Sequence, residues 1–158
     1  MTDDTNSLGF SDQQRRALAR ALDEIIPPSE GGRLPGAGEV DVVSYVERAL
    51  RSTPELRAMI VEGLTALEAL AQGRHDCAFA ALSRETQSEV LHALAYSEHA
   101  FPPVLMLHAY AGYYQDGRIL QALGLEPRPP HPQGYTMGPN DLTLLDPVRQ
   151  RPKRYRDC

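Results

Sequence analysis

Residues 101–114 read FPPVLMLHAYAGYY, and His108 is the one strongly polar side chain among them. A helix on the surface of a small soluble protein turns a charged face to water. This stretch has no such face, so as a helix it must be covered around most of its circumference. On a helical wheel Val104, Leu107, Ala111 and Tyr114 share one side, and Met106, Tyr110 and Tyr113 take much of the other. Two arrangements meet the requirement. The helix is a hub enclosed by the chain's other helices, or one side packs on the core while the tyrosine side meets a second protein. Tyrosine suits the second role, with a large apolar ring, a polar tip and little side-chain entropy to lose. Both hold together if the chain covers its own hub only in part.

The remaining sequence supplies helices to surround it. Apolar residues recur at helical spacing, and strand alternation is absent. A first helix is expected from Ser11 to Ile26, opened by a Ser11/Gln14 capping box and stopped by Pro27-Pro28. A turn-rich loop, PPSEGGRLPGAG, leads to a second helix over Glu39 to Arg51. The third has Thr53 as N-cap, Pro54 at its first position and Gly73 past its end. Its stripe is Leu56, Met59, Ile60, Gly63, Leu64, Leu67 and Leu70. Phe79 and Leu82 fall in a short connecting turn or helix, and Ser83 caps a fourth helix that runs to about Ser97. After the hub, Asp116-Gly117 makes a turn, and a short sixth helix ends at Gly124 with Leu120 and Leu125 placed to touch in a Schellman cap. Seven of the 13 prolines follow Leu125, which points to an extended tail. That tail still carries Tyr135, Met137, Leu142, Leu144, Leu145 and Val148, more apolar groups than a plain linker holds.

A chain of 158 residues fits one domain able to bury roughly 68–70% of its unfolded surface. Cys77 and Cys158 are far apart and outside any CxxC pattern, which argues against a disulfide framework or a zinc ribbon. A net charge of -5 gives no general attraction to nucleic acid. The acidic start, without an apolar core segment, does not read as a secretory signal, and no apolar run approaches the ~18 residues of a membrane span. The chain is expected in the cytoplasm as synthesised, without direct membrane insertion.

Candidate chemistry is sparse. Glu89-Val90-Leu91-His92 spells the E-x-x-H pair of di-iron carboxylate bundles, with Glu85 one turn earlier and His99 two turns later. A di-iron site needs a second such pair, and this chain has none. At about 100° per residue, Val90, Leu91 and Leu94 centre on one face. Glu85, Glu89, His92, Tyr96 and His99 centre on the opposite face, where water is expected. A metal-binding or enzymatic bundle using Glu89, His92 and His99 is the alternative reading. His75, Asp76 and Cys77 are adjacent and do not converge on one point, so they are weak evidence for catalysis. Asp76 is expected to cap a helix N-terminus there, with Cys77 half buried. PGAG at 35–38 lacks the preceding strand and the spacing of a dinucleotide loop. The basic end, RQRPKRYRD, is read as a solvated terminus.

The order of landmarks resembles one family. Phe10, Leu18, Leu22 and Ile25-Ile26-Pro27 come first, then PGAGEVDVVSYVERAL at 35–50, GLTALEALA at 63–71, Phe79 and Leu82, GYYQD at 112–116 and QGY at 133–135. Together they are similar to the gluconate 2-dehydrogenase subunit 3 family, the small subunit of membrane-associated, FAD-dependent sugar and polyol dehydrogenases. The resemblance implies a helper rather than a catalyst. In such complexes the large subunit carries FAD and oxidises the substrate, and a multi-haem cytochrome subunit often takes the electrons. The small subunit is associated with folding and export of the large one. No catalytic residue is carried over. Members often begin with a twin-arginine signal, whereas Arg15-Arg16 here lies inside a charged amphipathic pattern. Periplasmic location would therefore require export with a partner that carries the signal.

The expectation is an all-α single bundle of five to six helices over 10–125, a flexible N-terminus at 1–9, and an extended proline-rich tail at 126–158. It holds no cofactor, catalytic residue or metal of its own. Its large FAD-dependent partner is expected to contact Met106, Tyr110, Tyr113, Tyr135, Leu142, Leu144 and Leu145.

Overall fold

A computed structural model describes residues 10–97, 99–129, 131, 134 and 138–152. Every regular element among them is helical. The chain divides into two units, Met1–Arg128 and Pro129–Cys158. The expected flexible residues 1–9 lie outside the described residues.

The first unit begins with α1, Asp12–Ile25. Its first turn is fixed by the capping box read from the sequence: Gln14 N donates to Ser11 Oγ at 3.2 Å, and Ser11 N donates to Gln14 Oε1 at 2.9 Å. The following loop folds back onto α1. Ala37 N donates to Ile26 O at 2.9 Å, and Gly38 N donates to Asp23 Oδ1 at 2.7 Å. The backbone of residues 35–38 can approach this closely because a Cβ at Gly38 would run into Ala19 O and the Asp23 carboxylate. Burial pushes the Asp23 pKa up, and the Gly38 amide offsets part of that rise.

Helix α2 spans Val42–Arg51 and starts three residues later than the sequence suggests. The difference is a tight turn, with Glu39 N on Gly36 O and Val42 N on Val40 O, that buries Val40 before the helix begins. Helix α3, Pro54–His75, passes straight through Gly73. Its end is set by Asp76, not by glycine. Asp76 adopts the left-handed conformation (φ 54°), its amide bonds to Gln72 O, and its carboxylate accepts from Gln72 Nε2 at 2.7 Å. Asp76 thus closes a helix C-terminus rather than opening an N-terminus. Aspartate is among the few residues that tolerate this conformation, because its short polar side chain bonds locally.

A 3-10 turn, Phe79–Ala81, buries the Phe79 ring completely. Its backbone is satisfied from both sides: Phe79 N donates to Glu68 Oε2 at 3.0 Å, and the buried Gln87 donates from Nε2 to Phe79 O at 3.1 Å. Helix α4, Arg84–Tyr96, is capped by Ser83, whose Oγ accepts from Thr86 N. Helix α5, Phe101–Tyr113, takes Pro102 and Pro103 in its first turn, where no intrahelical donor is lost. Helix α6, Gly117–Ala122, is opened by Asp116. It closes in the expected Schellman geometry, with Gly124 at φ 77° and Leu125 N on Leu120 O at 2.8 Å.

Helix α5 packs against α1, α2, α3 and α4. Its own Phe101 and Leu105 are fully buried, as are Leu18, Leu22, Val42, Val46, Ile60, Leu64, Leu67 and Val90 of the other helices. Two glycines set how closely it sits. Gly63 of α3 receives the Phe101 ring, and Gly112 of α5 faces Tyr45 and Val42 of α2, where a Cβ would come within 2.8 Å of Tyr45 Cδ1.

In the second unit, the tail read as extended carries a 3-10 turn, Leu142–Leu145, and one helical turn, α7, Asp146–Arg149. Asp141 starts the first by accepting from Thr143 N at 3.1 Å, and Pro147 occupies an N-terminal position of the second, where proline costs nothing. Leu142, Leu144, Leu145 and Val148 are exposed.

Candidate partner-binding surface

The hub helix is covered on three sides and bare on the fourth. Its buried seam is Phe101, Leu105, Ala109, Gly112 and Tyr113. Its bare flank is Met106, Leu107, Tyr110 and Tyr114, exposed at 46%, 67%, 45% and 49%. Met106 and Tyr110 lie where the wheel put them. Tyr113 does not: it is sealed at 2% exposure, and its hydroxyl donates to Pro35 O at 2.9 Å. Burial, together with the neighbouring Tyr114 and Asp116, raises its phenol pKa. The correction has a simple cause. Phe101, Leu105, Ala109 and Tyr113 form an unbroken i, i+4 row, and the 35–38 loop closes over the end of that row. The same regularity could have been read from the sequence. Leu107 and Tyr114, assigned to the core-facing side by the wheel, take the place of Tyr113 on the flank.

The flank is ordered by its own rings. Tyr110 and Tyr114 stack, with centroids 6.3 Å apart and planes 10° apart. Tyr114 meets Tyr113 edge to face at 5.2 Å and 88°. A buried tyrosine thus props an exposed one. Side chains already held in place lose less freedom when a partner arrives.

One groove adjoins this flank at Met106, and a second lies beside the first. The first, of about 350 Å³, is walled by Ile25, Leu91, Ala95, Pro102, Pro103 and Met106. The other, of about 870 Å³ and open, is lined by Glu24, Arg84, Glu85, Glu89, His92 and Tyr96. Ser88, His92 and Glu24 border both, so the outer face of α4 is the ridge between them.

The remaining candidates fall elsewhere. Glu89 and His92 are exposed on that ridge, opposite Val90 and Leu94. His99 is drawn away from them, because its Nδ1 accepts from Phe101 N at 3.1 Å and caps α5. Among the described residues no group of three or more His, Cys, Asp or Glu is arranged to hold a metal. His75 ends α3, and Cys77 is a half-buried free thiol. Leu142, Leu144 and Leu145 are exposed in the second unit, while Tyr135 lies outside the described residues. No helix among the described residues is long and apolar enough to cross a membrane.

His108 lies beside Tyr45 of α2, ring centroids 6.3 Å apart, with a buried Nδ1 that has no hydrogen-bond partner among the described residues. Burial holds its pKa below the ordinary 6.5. The fold therefore favours the neutral ring. As pH falls below 6.5 the unfolded chain takes up the proton first, so this contribution to stability is complete above 6.5 and is lost on acidification. The urea midpoint is expected to drop between pH 7.5 and pH 5.5, and His108→Leu should flatten that part of the profile.

No curated protein and no solved structure matches the chain. The model of one protein family, described as gluconate 2-dehydrogenase subunit 3, does match, over residues 12–129. That span opens with the first residue of α1 and takes in α2 to α6, including the bare flank of the hub. The chain thus belongs to the gluconate 2-dehydrogenase subunit 3 family, named for one subunit of a multi-subunit dehydrogenase.

Proposed function

We propose that this protein is a non-catalytic accessory subunit that binds the large FAD-dependent subunit of a dehydrogenase and stabilises its folded state. One observation carries the reading: α5, although packed against four other helices, leaves Met106, Leu107, Tyr110 and Tyr114 in water. Exposed apolar side chains grouped on one face mark interaction sites. Tyrosines at such a site are typical anchors. Tyr135, Leu142, Leu144 and Leu145 of the tail form a second contact. A standard interface buries about 800 Å² per partner.

The flavin chemistry belongs to the partner. This chain acts by mass action: whatever binds the folded flavoprotein and not the unfolded one shifts it toward the folded state. A cytochrome subunit often accepts the electrons in complexes of this type. The helper meets its partner in the cytoplasm, where both chains are made.

Co-expression tests the reading. The large flavoprotein subunit is expected to be soluble, flavin-loaded and active when both are produced, and largely insoluble or flavin-free when made alone. Equal yield, flavin content and activity without this chain would rule out the helper role.

A further inference from the structure

The groove between α4 and α5 has a chemistry of its own, which rests on the accessory-subunit reading and goes further by naming what the partner presents. Its walls are mostly apolar: Ile25 from the end of α1, Leu91 and Ala95 from α4, and Pro102, Pro103 and Met106 from α5, with Glu24, Ser88 and His92 at the edge. Beyond Ser88 and His92 the α4 rim falls into the adjoining groove, whose lining is negative. Arg84 is committed to Glu24 at 3.2 Å, whereas Glu85 and Glu89, one helical turn apart, have no ion pair among the described residues. At the far end of the same ridge stands Tyr96, 86% exposed, with its ring open to solvent.

We propose that this groove receives a basic amphipathic helix of the flavoprotein subunit. Its apolar side enters the trough, and its arginine or lysine side chains lie over α4. Each part of the site selects for one part of that ligand. A trough bordered by helices accepts the apolar edge of another helix, with anchors at i, i+3 or i+4 and i+7. Two carboxylates at i and i+4 match two cations at the same spacing on the incoming helix. An open tyrosine face adds a cation–π contact, for which arginine is the better partner. The negative rim also excludes acidic segments, because like charges brought together cost affinity. A second copy of this chain is the poorer occupant, since it carries a net charge of -5 itself.

The test uses the full chain in two settings. In the first, two labelled helical peptides share the same leucine spacing, one with arginine and one with glutamate beside it. Fluorescence anisotropy is expected to show the arginine peptide binding roughly tenfold more tightly, with the advantage shrinking at high salt. Glu85→Lys/Glu89→Lys should reverse the preference. Ala95→Arg, an exposed position that fills the trough, should weaken both peptides. Equal binding of the two peptides, or none, overturns the proposal. So does self-association of the chain that Glu85→Lys/Glu89→Lys abolishes, because the occupant is then this chain.

In the second setting the tagged chain is purified with its flavoprotein, and flavin bound per chain is read by absorbance. Glu85→Lys/Glu89→Lys and Ala95→Arg are expected to lower it, while Glu55→Lys/Glu62→Lys, an equal charge change at exposed positions of α3, should not. Full flavoprotein retention by the first two variants sinks the groove and leaves the accessory reading standing. If wild type retains no flavoprotein but still prefers the arginine peptide, the accessory reading fails and with it the flavoprotein as occupant, while the groove's selectivity for a basic helix stands.

Discussion

Phe101→Ala is expected to destabilise the protein by about 3–5 kcal/mol, a large part of the roughly 5–15 kcal/mol that holds a domain of this kind together. Phe101 is fully buried at the start of α5, and its ring rests on the bare backbone of Gly63 in α3. Removing the ring opens a cavity at the contact that seats the hub. The same contact reverses the usual sign at Gly63. Alanine is the better helix former by about 1 kcal/mol, yet a Cβ there would overlap the Phe101 ring, including Cγ and Cδ2. Overpacking of this sort costs about 1–3 kcal/mol, so Gly63→Ala should be a net loss. Trimming the ring as well, in Gly63→Ala/Phe101→Leu, should cost less than the two single changes added together, since the residues touch. Urea unfolding of the full chain decides the matter. A stabilising Gly63→Ala would mean that α3 and α5 do not approach this closely.

Leu107→Asp/Tyr110→Asp is expected to do the opposite: leave the fold intact and remove the partner. Both side chains are exposed, and neither belongs to the buried seam of α5. Surface changes away from the core stay within about 0.5 kcal/mol. On the proposed interface the same two changes strip an aliphatic and an aromatic anchor and introduce charges that must be desolvated. Loss of central anchors costs about 2 kcal/mol or more, roughly thirtyfold in affinity for the flavoprotein. Tyr113→Phe provides the contrast. It deletes the hydrogen bond to Pro35 O and so should cost about 1 kcal/mol of stability, with no change in flavoprotein retention because Tyr113 is sealed. Titration calorimetry on the complex and unfolding of the isolated chain separate the two effects. An unchanged affinity in the Leu107/Tyr110 variant would move the interface off α5.

The helices that were legible in the sequence are those whose ends rest on local chemistry. Ser11 with Gln14, Ser83 before α4, and Leu120 with Leu125 around Gly124 are contacts between residues a few positions apart, and each formed as its spacing implied. Gly73 misled because a glycine permits a helix to end without requiring it. The left-handed position went instead to Asp76, whose carboxylate is bonded to Gln72. His99 misled in another way. It shares a face with Glu89 and His92 only if α4 continues, but α4 stops at Tyr96 and the imidazole turns to the first amide of α5.

The partner surface was half legible for a similar reason. Composition along 101–114 determines that the helix must be enclosed, because apolar side chains around a full turn leave no face for water. Which side stays open depends on which elements arrive, and that is settled by distant backbone. The 35–38 loop, held by Asp23 and Ile26, comes down over Tyr113 and takes its hydroxyl. Nothing among the described residues covers Leu107, Tyr110 or Tyr114 to the same extent. Spacing within the chain thus dictates that a hub exists and which residues can line it. Only packing between segments some eighty positions apart selects the residues that remain outside, since burial is a property of neighbours in space.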